Sequence, residues 1–133
     1  MTQWTPQRLH DFATADDLRI STLYSDGQTY GTPTWIWSVV VDGRLYVRAW
    51  HGQQSSWYQS AVSQRGGRMY LAGRNFRITF IPVAADSALT TRINRAYRQK
   101  YATSIYVLLM VQAGPQAATL EIRPADMKSE RPV

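Results

Sequence analysis

The stretch TPTWIWSVVVDGRLYVRAWHGQQSSWY, residues 32–58, decides how this chain is read. It reads as a strand, a tight turn, a second strand, and a glycine-containing loop that feeds a helix. It holds four of the five tryptophans (Trp35, Trp37, Trp50, Trp57), together with Arg48 and several hydroxyls. Asp42-Gly43 is a two-residue hairpin signal, because both central positions of such a turn need positive φ. A turn there pairs Val41 with Arg44, Val39 with Tyr46, Trp37 with Arg48 and Trp35 with Trp50. Side chains alternate along a strand, so these eight residues share one face. The opposite face carries Ile36, Ser38 and Val40 against Leu45, Val47 and Ala49. The second face is compact and aliphatic and suits a barrel interior. The first is aromatic and partly cationic and lies outside the barrel, where a helix, a second subunit or a planar ligand can cover it. A one-residue slip in the turn would reverse the two faces.

Working outward, Thr5-Pro6 opens a short helix within residues 1–15, with Leu9 and Phe12 facing inward. Leu18 to Tyr24 alternates as a half-buried strand and Asp26-Gly27 gives a hairpin turn. Thr29 to Val41 reads as one long strand, bent near Gly31-Thr32-Pro33. Ser55 to Ser63 is a short helix capped by Ser55 or Ser56 and closed by Gly66-Gly67. Arg68 to Ala72 and Phe76 to Val83 form a strand pair. Asp86 or Ser87 caps a helix running to Tyr101, with an apolar stripe of Leu89, Ile93, Ala96 and Tyr97. Ile105 to Val111 and Ala118 to Ile122 read as closing strands joined through Gly114-Pro115, and residues 125–133 as a loose polar tail. The expectation is one α+β domain over residues 1–133, mainly β: an antiparallel barrel of about six short strands with two or three helices outside it.

Composition sets the outer limits. The chain has 133 residues, 44% hydrophobic and 18% charged, which suits a single globular core. No apolar run is long enough to span a bilayer and no signal-peptide pattern opens the chain, so the expected location is cytoplasmic. There is no cysteine, hence no disulfide and no thiolate metal site. The net charge of +6 favours anionic partners. The basic residues are spread along the chain without a run of consecutive Lys/Arg, which makes nucleic acid an unlikely partner on sequence grounds.

Few residues offer chemistry of their own. His10 and His51 are the only histidines, and neither has acidic or histidine neighbours at ligand spacing, so no metal site is expected. No Gly-x-Ser-x-Gly elbow supports a serine hydrolase. Arg48 can stack on Trp37 as a cation–π pair, or can hold an anion with its planar fork beside the aromatic face. Gly52, Ser55 and Ser56 lead into a helix N-terminus, where free N–H groups and hydroxyls favour a phosphate, though hydroxyls there also serve as plain caps. The helix bearing Arg92, Arg95, Arg98 and Lys100 is either a solvated basic surface or an approach for an anion. Lys100 is a second candidate for phosphate.

Taken together, the strand, Asp-Gly, strand, Asp-Gly, strand order and the Gly52-Gln-Gln-Ser-Ser-Trp57-Tyr58 segment resemble the flavin split-barrel superfamily. That group includes pyridoxamine-phosphate-oxidase-like and deazaflavin-dependent nitroreductase-like proteins. Pro-Thr-Trp-Ile-Trp, Val-Arg-Ala, Ala96-Tyr-Arg-x-Lys-Tyr101 and Ala118-Thr-Leu-Glu-Ile-Arg-Pro124 are similar to a small uncharacterised bacterial family within it. The likeness spans about Leu18 to Pro124. It implies a six-stranded antiparallel split β-barrel of the FMN-binding type, forming a homodimer with FMN or a deazaflavin coenzyme at the subunit interface. Carried over, Arg48, Gly52, Ser55 and Ser56 would hold the phosphate. Trp35 and Trp37 would border the ring system, with Trp57 and Tyr58 anchoring the loop or lining the pocket. Thr34, Trp50 and Lys100 complete the expected cofactor-binding set. Such a protein would be a flavin nucleotide binder and an oxidoreductase whose cofactor does the chemistry, since no acid or base stands out. The Arg-x-x-x-Leu-Lys run of pyridoxamine phosphate oxidases is absent, and three tryptophans are bulky where a flavin would stack. A second reading therefore stands beside the first: a non-enzymatic ligand-binding or dimerisation module that has lost the cofactor.

Overall fold

A computed structural model describes residues 3–84 and 86–125. Helix α1 (Pro6–Thr14) is followed by strands β1 (Arg19–Thr22), β2 (Thr34–Trp35), β3 (Ser38–Val41) and β4 (Arg44–Arg48). A 3-10 turn at Gly52–Gln54 leads to α2 (Ser56–Gln64), β5 (Gly66–Leu71) and β6 (Arg74–Pro82). Then come α3 (Ser87–Lys100), α4 (Val107–Met110), α5 (Ala113–Ala117) and β7 (Thr119–Pro124). The fold is α+β. All pairings are antiparallel, in one seven-stranded sheet of order β2-β1-β5-β6-β7-β4-β3.

The two edge strands of that sheet, β2 and β3, are consecutive in the chain with only Ile36 and Trp37 between them. One short segment therefore supplies both edges, and the sheet curls into a half-barrel to let it do so. Ile36 N–H donates to Leu18 O at 3.1 Å, which keeps the segment against β1 as it leaves β2. A bare edge invites pairing with other chains, and joining the edges through the chain itself limits that exposure.

The β3–β4 hairpin has the expected register: Val41 opposite Arg44, Val39 opposite Tyr46 and Ser38 opposite Val47. Asp42 and Gly43 both have positive φ, as the turn requires. The pairing stops at Ser38. Trp37 does not pair with Arg48, and Trp35 pairs with Arg19 of β1 instead of Trp50. The expected single strand Thr29–Val41 is thus two strands serving opposite edges, in a sheet of seven strands rather than about six.

The division into faces follows the alternation. Ile36, Leu45 and Val47 join the core inside the curl with Ile20, Met69, Phe80 and Leu120. Trp4 and Phe12 add to it from the N-terminal segment, their rings edge-on to each other and to Phe76. The outer face of β3 and β4 contributes Val39, Val41 and Tyr46 to a second core, with Ile93 and Tyr97 of α3, its C-cap residue Tyr101, and Val107 and Met110 of α4. The cover for the aromatic face is therefore, in large part, the chain's own helix. Asp86 caps α3, its carboxylate accepting from Ala88 and Leu89 N–H.

Two further expectations change. Ile105–Val111 is not a strand: Val107, Met110 and Val111 are buried while Leu108 and Leu109 are exposed, a helical rather than alternating pattern. A short apolar run does not by itself distinguish the two. Gly114-Pro115 lies within α5, where a first-turn proline gives up an N–H that the helix does not use. Helix α2 ends at Gln64, with Arg65 in the left-handed region, and Gly66-Gly67 opens β5. The tail beyond residue 125 lies outside the described residues.

Candidate functional site: an aromatic cavity over a buried arginine

The break between β2 and β3 has a structural consequence. Where the hairpin stops pairing, the segment from Thr34 to Trp37 diverges from β4, and a cavity of about 570 Å³ opens in the gap. Thr34 and Trp35 of β2 line it, with Ile36 and Trp37 of the link. Arg48 at the end of β4, Trp50 and His51 after it, and Ser55 and Trp57 at the start of α2 form further walls. Tyr106 and Met110 complete the lining from α4. All four tryptophans of the opening stretch thus face one space. Its size falls within the ordinary range of small-molecule sites.

Arg48 is the unusual member. It is 1% exposed. Its Nε donates to Thr119 Oγ1 at 3.1 Å, and its Nη1 to Asn94 Oδ1 and to Met110 O at 3.2 Å. Its Nη2 has no hydrogen-bond partner among the described residues. The acceptors around it are neutral, so the guanidinium has no counter-ion among the described residues. Burial lowers its pKa, and the neighbouring Tyr97 opposes that shift. The ring that it approaches is Tyr97, 5.4 Å from the centroid, and not the expected Trp37. Trp37 stacks instead on Tyr101 at 4.0 Å with planes 3° apart. Leaving a buried charge unpaired costs several kcal/mol, in the range of about 3–5 where one partner of a pair is removed.

The start of α2 is open as well. Ser55 is its N-cap residue but makes no side-chain cap bond, contrary to the capping expected of Ser55 or Ser56. The Ser55 hydroxyl, in the lining of the same cavity, is therefore not used as a cap for the helix.

Three of the ten expected residues lie elsewhere. Gly52 is buried with φ +72°, and a Cβ there would sit 3.3 Å from Gly114 O, so it shapes the loop and does not line the cavity. Ser56 borders a separate shallow depression with Leu23, Ser25 and Gln59. Lys100 borders another cavity, of about 440 Å³, with Thr14, Val40 and Gln99. Its Nζ donates to Phe12 O at 3.2 Å and Ser38 O at 2.8 Å, tying α1 and β3 to α3. Burial pushes Lys100 down to about 8, opposed by Asp16 and Asp17.

Conversely, Ile36, Tyr106 and Met110 belong to the cavity although sequence reasoning did not place them there. Tyr106 and Met110 are four residues apart, the spacing that puts two side chains on one helix face. His51 is exposed and borders the mouth. Among the described residues no cluster of three or more His, Asp or Glu side chains could hold a metal ion, and no helix is long and apolar enough to cross a membrane.

Residues 8–122 match the sequence model of the family described as "Uncharacterized protein conserved in bacteria (DUF2255)". The chain belongs to the DUF2255 family. The match covers every segment that lines the aromatic cavity, so the DUF2255 region and the site coincide. A search of curated proteins finds no match. Among solved structures, the DUF2255 fold is similar to that of a conserved hypothetical protein, Rv2991, from Mycobacterium tuberculosis. The TM-score is 0.58 at 14% identity, over 99% of this chain and 91% of that one. At that identity the likeness concerns the fold.

Proposed function

We propose that this DUF2255 protein binds a flavin nucleotide, FMN or a deazaflavin coenzyme, in the aromatic cavity and works as an oxidoreductase. The observation that carries the reading is Arg48, a buried guanidinium whose Nη2 has no partner among the described residues, in the wall of a cavity that four tryptophans also line. A planar, phosphorylated ligand fits both features: the ring system lies among Trp35, Trp37, Trp50 and Trp57, and an anionic group meets Arg48 and the open start of α2. The resemblance to flavin split barrels points the same way. When bound, such a cofactor supplies hydride or electron transfer. The protein's own residues position it, exclude water with apolar walls, and favour through Arg48 whichever bound form carries more negative charge.

The cavity mouth supports the homodimer that goes with this reading. Trp35 (65% exposed), Trp50 and Tyr106 line the cavity and are themselves exposed, and Ile105 (82%), Leu108 (60%) and Leu109, which flank Tyr106 in the chain, are exposed as well. Exposed apolar residues gathered at one place mark an interaction surface, and a second copy seated on it would roof the cavity. A stable interface needs about 800 Å² from each partner.

One observation favours the second reading, a non-enzymatic module without cofactor. Trp37 is already stacked on Tyr101, and Trp50 packs on Tyr106 at 5.4 Å, so the aromatic surface is partly satisfied by itself. The absorbance of the purified protein, before and after denaturation, separates the two. A released flavin or deazaflavin chromophore, or saturable uptake of either by the colourless protein, supports the first reading. A colourless protein that takes up neither leaves only the module.

A further inference from the structure

The strand register collects charges that the sequence disperses. On the outer face of β1, β5 and β6, Arg68 stands directly opposite Arg77, and Ser21 opposite Arg68. In the next row Arg19 stands opposite Tyr70, and Tyr70 opposite Asn75. Arg19, Arg68, Asn75 and Arg77 are exposed. Like charges set directly opposite on an antiparallel pair repel each other and destabilise the sheet. Here no carboxylate relieves them: among the described residues the ion pairs are Arg44–Glu121, Arg123–Glu121 and Arg92–Asp42, and none involves this face. Two of the guanidiniums are held against rings. Arg68 Cζ lies 3.9 Å from the Tyr30 centroid, and Arg19 Cζ 5.9 Å from that of Tyr70. An arginine stacked in this way keeps its edge free for a phosphate.

We propose that this face binds the phosphate backbone of single-stranded nucleic acid. Arg19, Arg68 and Arg77 meet phosphates, while Tyr70 and Asn75 offer a ring face and an amide to bases. The outward positions of the three strands hold no exposed aliphatic residue, whereas a protein partner would need an apolar centre to bury. A sheet surface with aromatic and basic side chains suits splayed, unstacked bases, and nothing here projects to enter a duplex groove. The shallow depression between Arg19, Ser21, Arg68, Tyr70 and Asn75, about 200 Å³, gives a base a place to sit. The proposal is independent of the aromatic cavity.

The test is fluorescence anisotropy of labelled oligothymidylate and oligouridylate, each about 20 nucleotides long, with the full chain between about 50 and 200 mM salt. Binding is expected, with a log–log salt slope of about −2, at about −0.7 for each of three phosphates neutralised. The Arg68→Ala/Arg77→Ala double variant should lose at least about tenfold in affinity at low salt and bring the slope to about −0.7. The charge-matched Arg95→Ala/Arg98→Ala variant, on α3, should bind as wild type does. Absence of binding at low salt, an equal loss in the α3 variant, or polyglutamate competing as well as the oligonucleotide would each overturn the proposal. The last result would assign the face to an acidic protein partner instead.

Discussion

Trp37 and Tyr101 lie face to face, 4.0 Å between centroids and 3° between planes. Trp37 is the residue at which the chain passes from one edge of the sheet to the other, and Tyr101 is the C-cap of α3. The Tyr101 hydroxyl accepts from Ser38 N–H at 3.0 Å and lies 3.2 Å from Ser38 O, so ring and hydroxyl both hold the start of β3. The wall of the aromatic cavity is thereby fixed to the helix that covers the outer face.

Removing that stack should be felt in stability and in the site together. Trp37→Ala is expected to cost about 2–3 kcal/mol, below the range for a fully buried tryptophan because Trp37 is half-buried. Tyr101→Phe keeps the stack but leaves the buried Ser38 N–H without its acceptor, and should cost about 1–2 kcal/mol. Urea unfolding of the two variants measures both.

Arg48 should behave in the opposite way. Its partners are neutral and its charge has no counter-ion among the described residues, so its hydrogen bonds are offset by the cost of burying the charge. Arg48→Met is expected to cost no more than about 2–3 kcal/mol, because removing the desolvated charge offsets the Asn94 and Met110 acceptors that it leaves unpaired. A loss beyond about 3 kcal/mol in urea would make Arg48 a structural residue.

Gly67 should tolerate no side chain. A Cβ there would lie 2.8 Å from both Phe80 Cε2 and Ser21 O, inside the curl. Ser21 O is backbone and cannot withdraw. Gly67→Ala is expected to cost about 1–3 kcal/mol by overpacking, visible as a lower denaturation midpoint.

The alkaline side of the stability profile follows from the buried ionisable groups. Lys100, held near 8 in the fold against 10.5 when free, binds fewer protons folded than unfolded between those values. Stability therefore rises with pH from about 8. Tyr101, pushed up to about 12 by burial, binds more protons folded than unfolded above 10, and Tyr97 shifts in the same direction, so stability falls from there. Lys100→Met should abolish the rise between pH 8 and 10 and leave the fall above 10. Urea midpoints at three pH values read both limbs.

The sequence was informative where chemistry is local. Asp42-Gly43 needs positive φ at both positions, so the hairpin register and the two faces could be read directly from it. Asp86 capping α3 and the 3.6-residue stripe of Ile93 and Tyr97 were equally plain. The break at Trp37 was not, because Ile36-Trp37 alternates as well as its neighbours do; only closure of the sheet requires that segment to serve two edges. Met110 and Tyr106 were missed for a related reason: Ile105–Val111 is apolar throughout, and its helical period appears only once burial separates Val107 and Met110 from Leu108 and Leu109. Seven of the ten expected site residues line one cavity, since they flank the one hairpin whose register was readable. Lys100 lies elsewhere because its position depends on how α3 crosses β3, which no local pattern encodes.

A planar, phosphorylated cofactor held through Arg48, as proposed, would sit among the tryptophans of the aromatic cavity. Trp35, Trp37, Trp50 and Trp57 all line that cavity, so a bound flavin or deazaflavin would quench most of the protein's tryptophan emission. The decisive measurement is a titration of that emission with FMN, riboflavin and a deazaflavin coenzyme, for wild type and Arg48→Met. The expected result is saturable quenching by at least one phosphorylated cofactor, weaker binding of riboflavin than of FMN if FMN is the one, and a loss of at least about tenfold in Arg48→Met, as for a charge-assisted hydrogen bond of about 1.5–3 kcal/mol. No saturable quenching by any of them, or an Arg48→Met protein that binds as tightly as wild type, would contradict it.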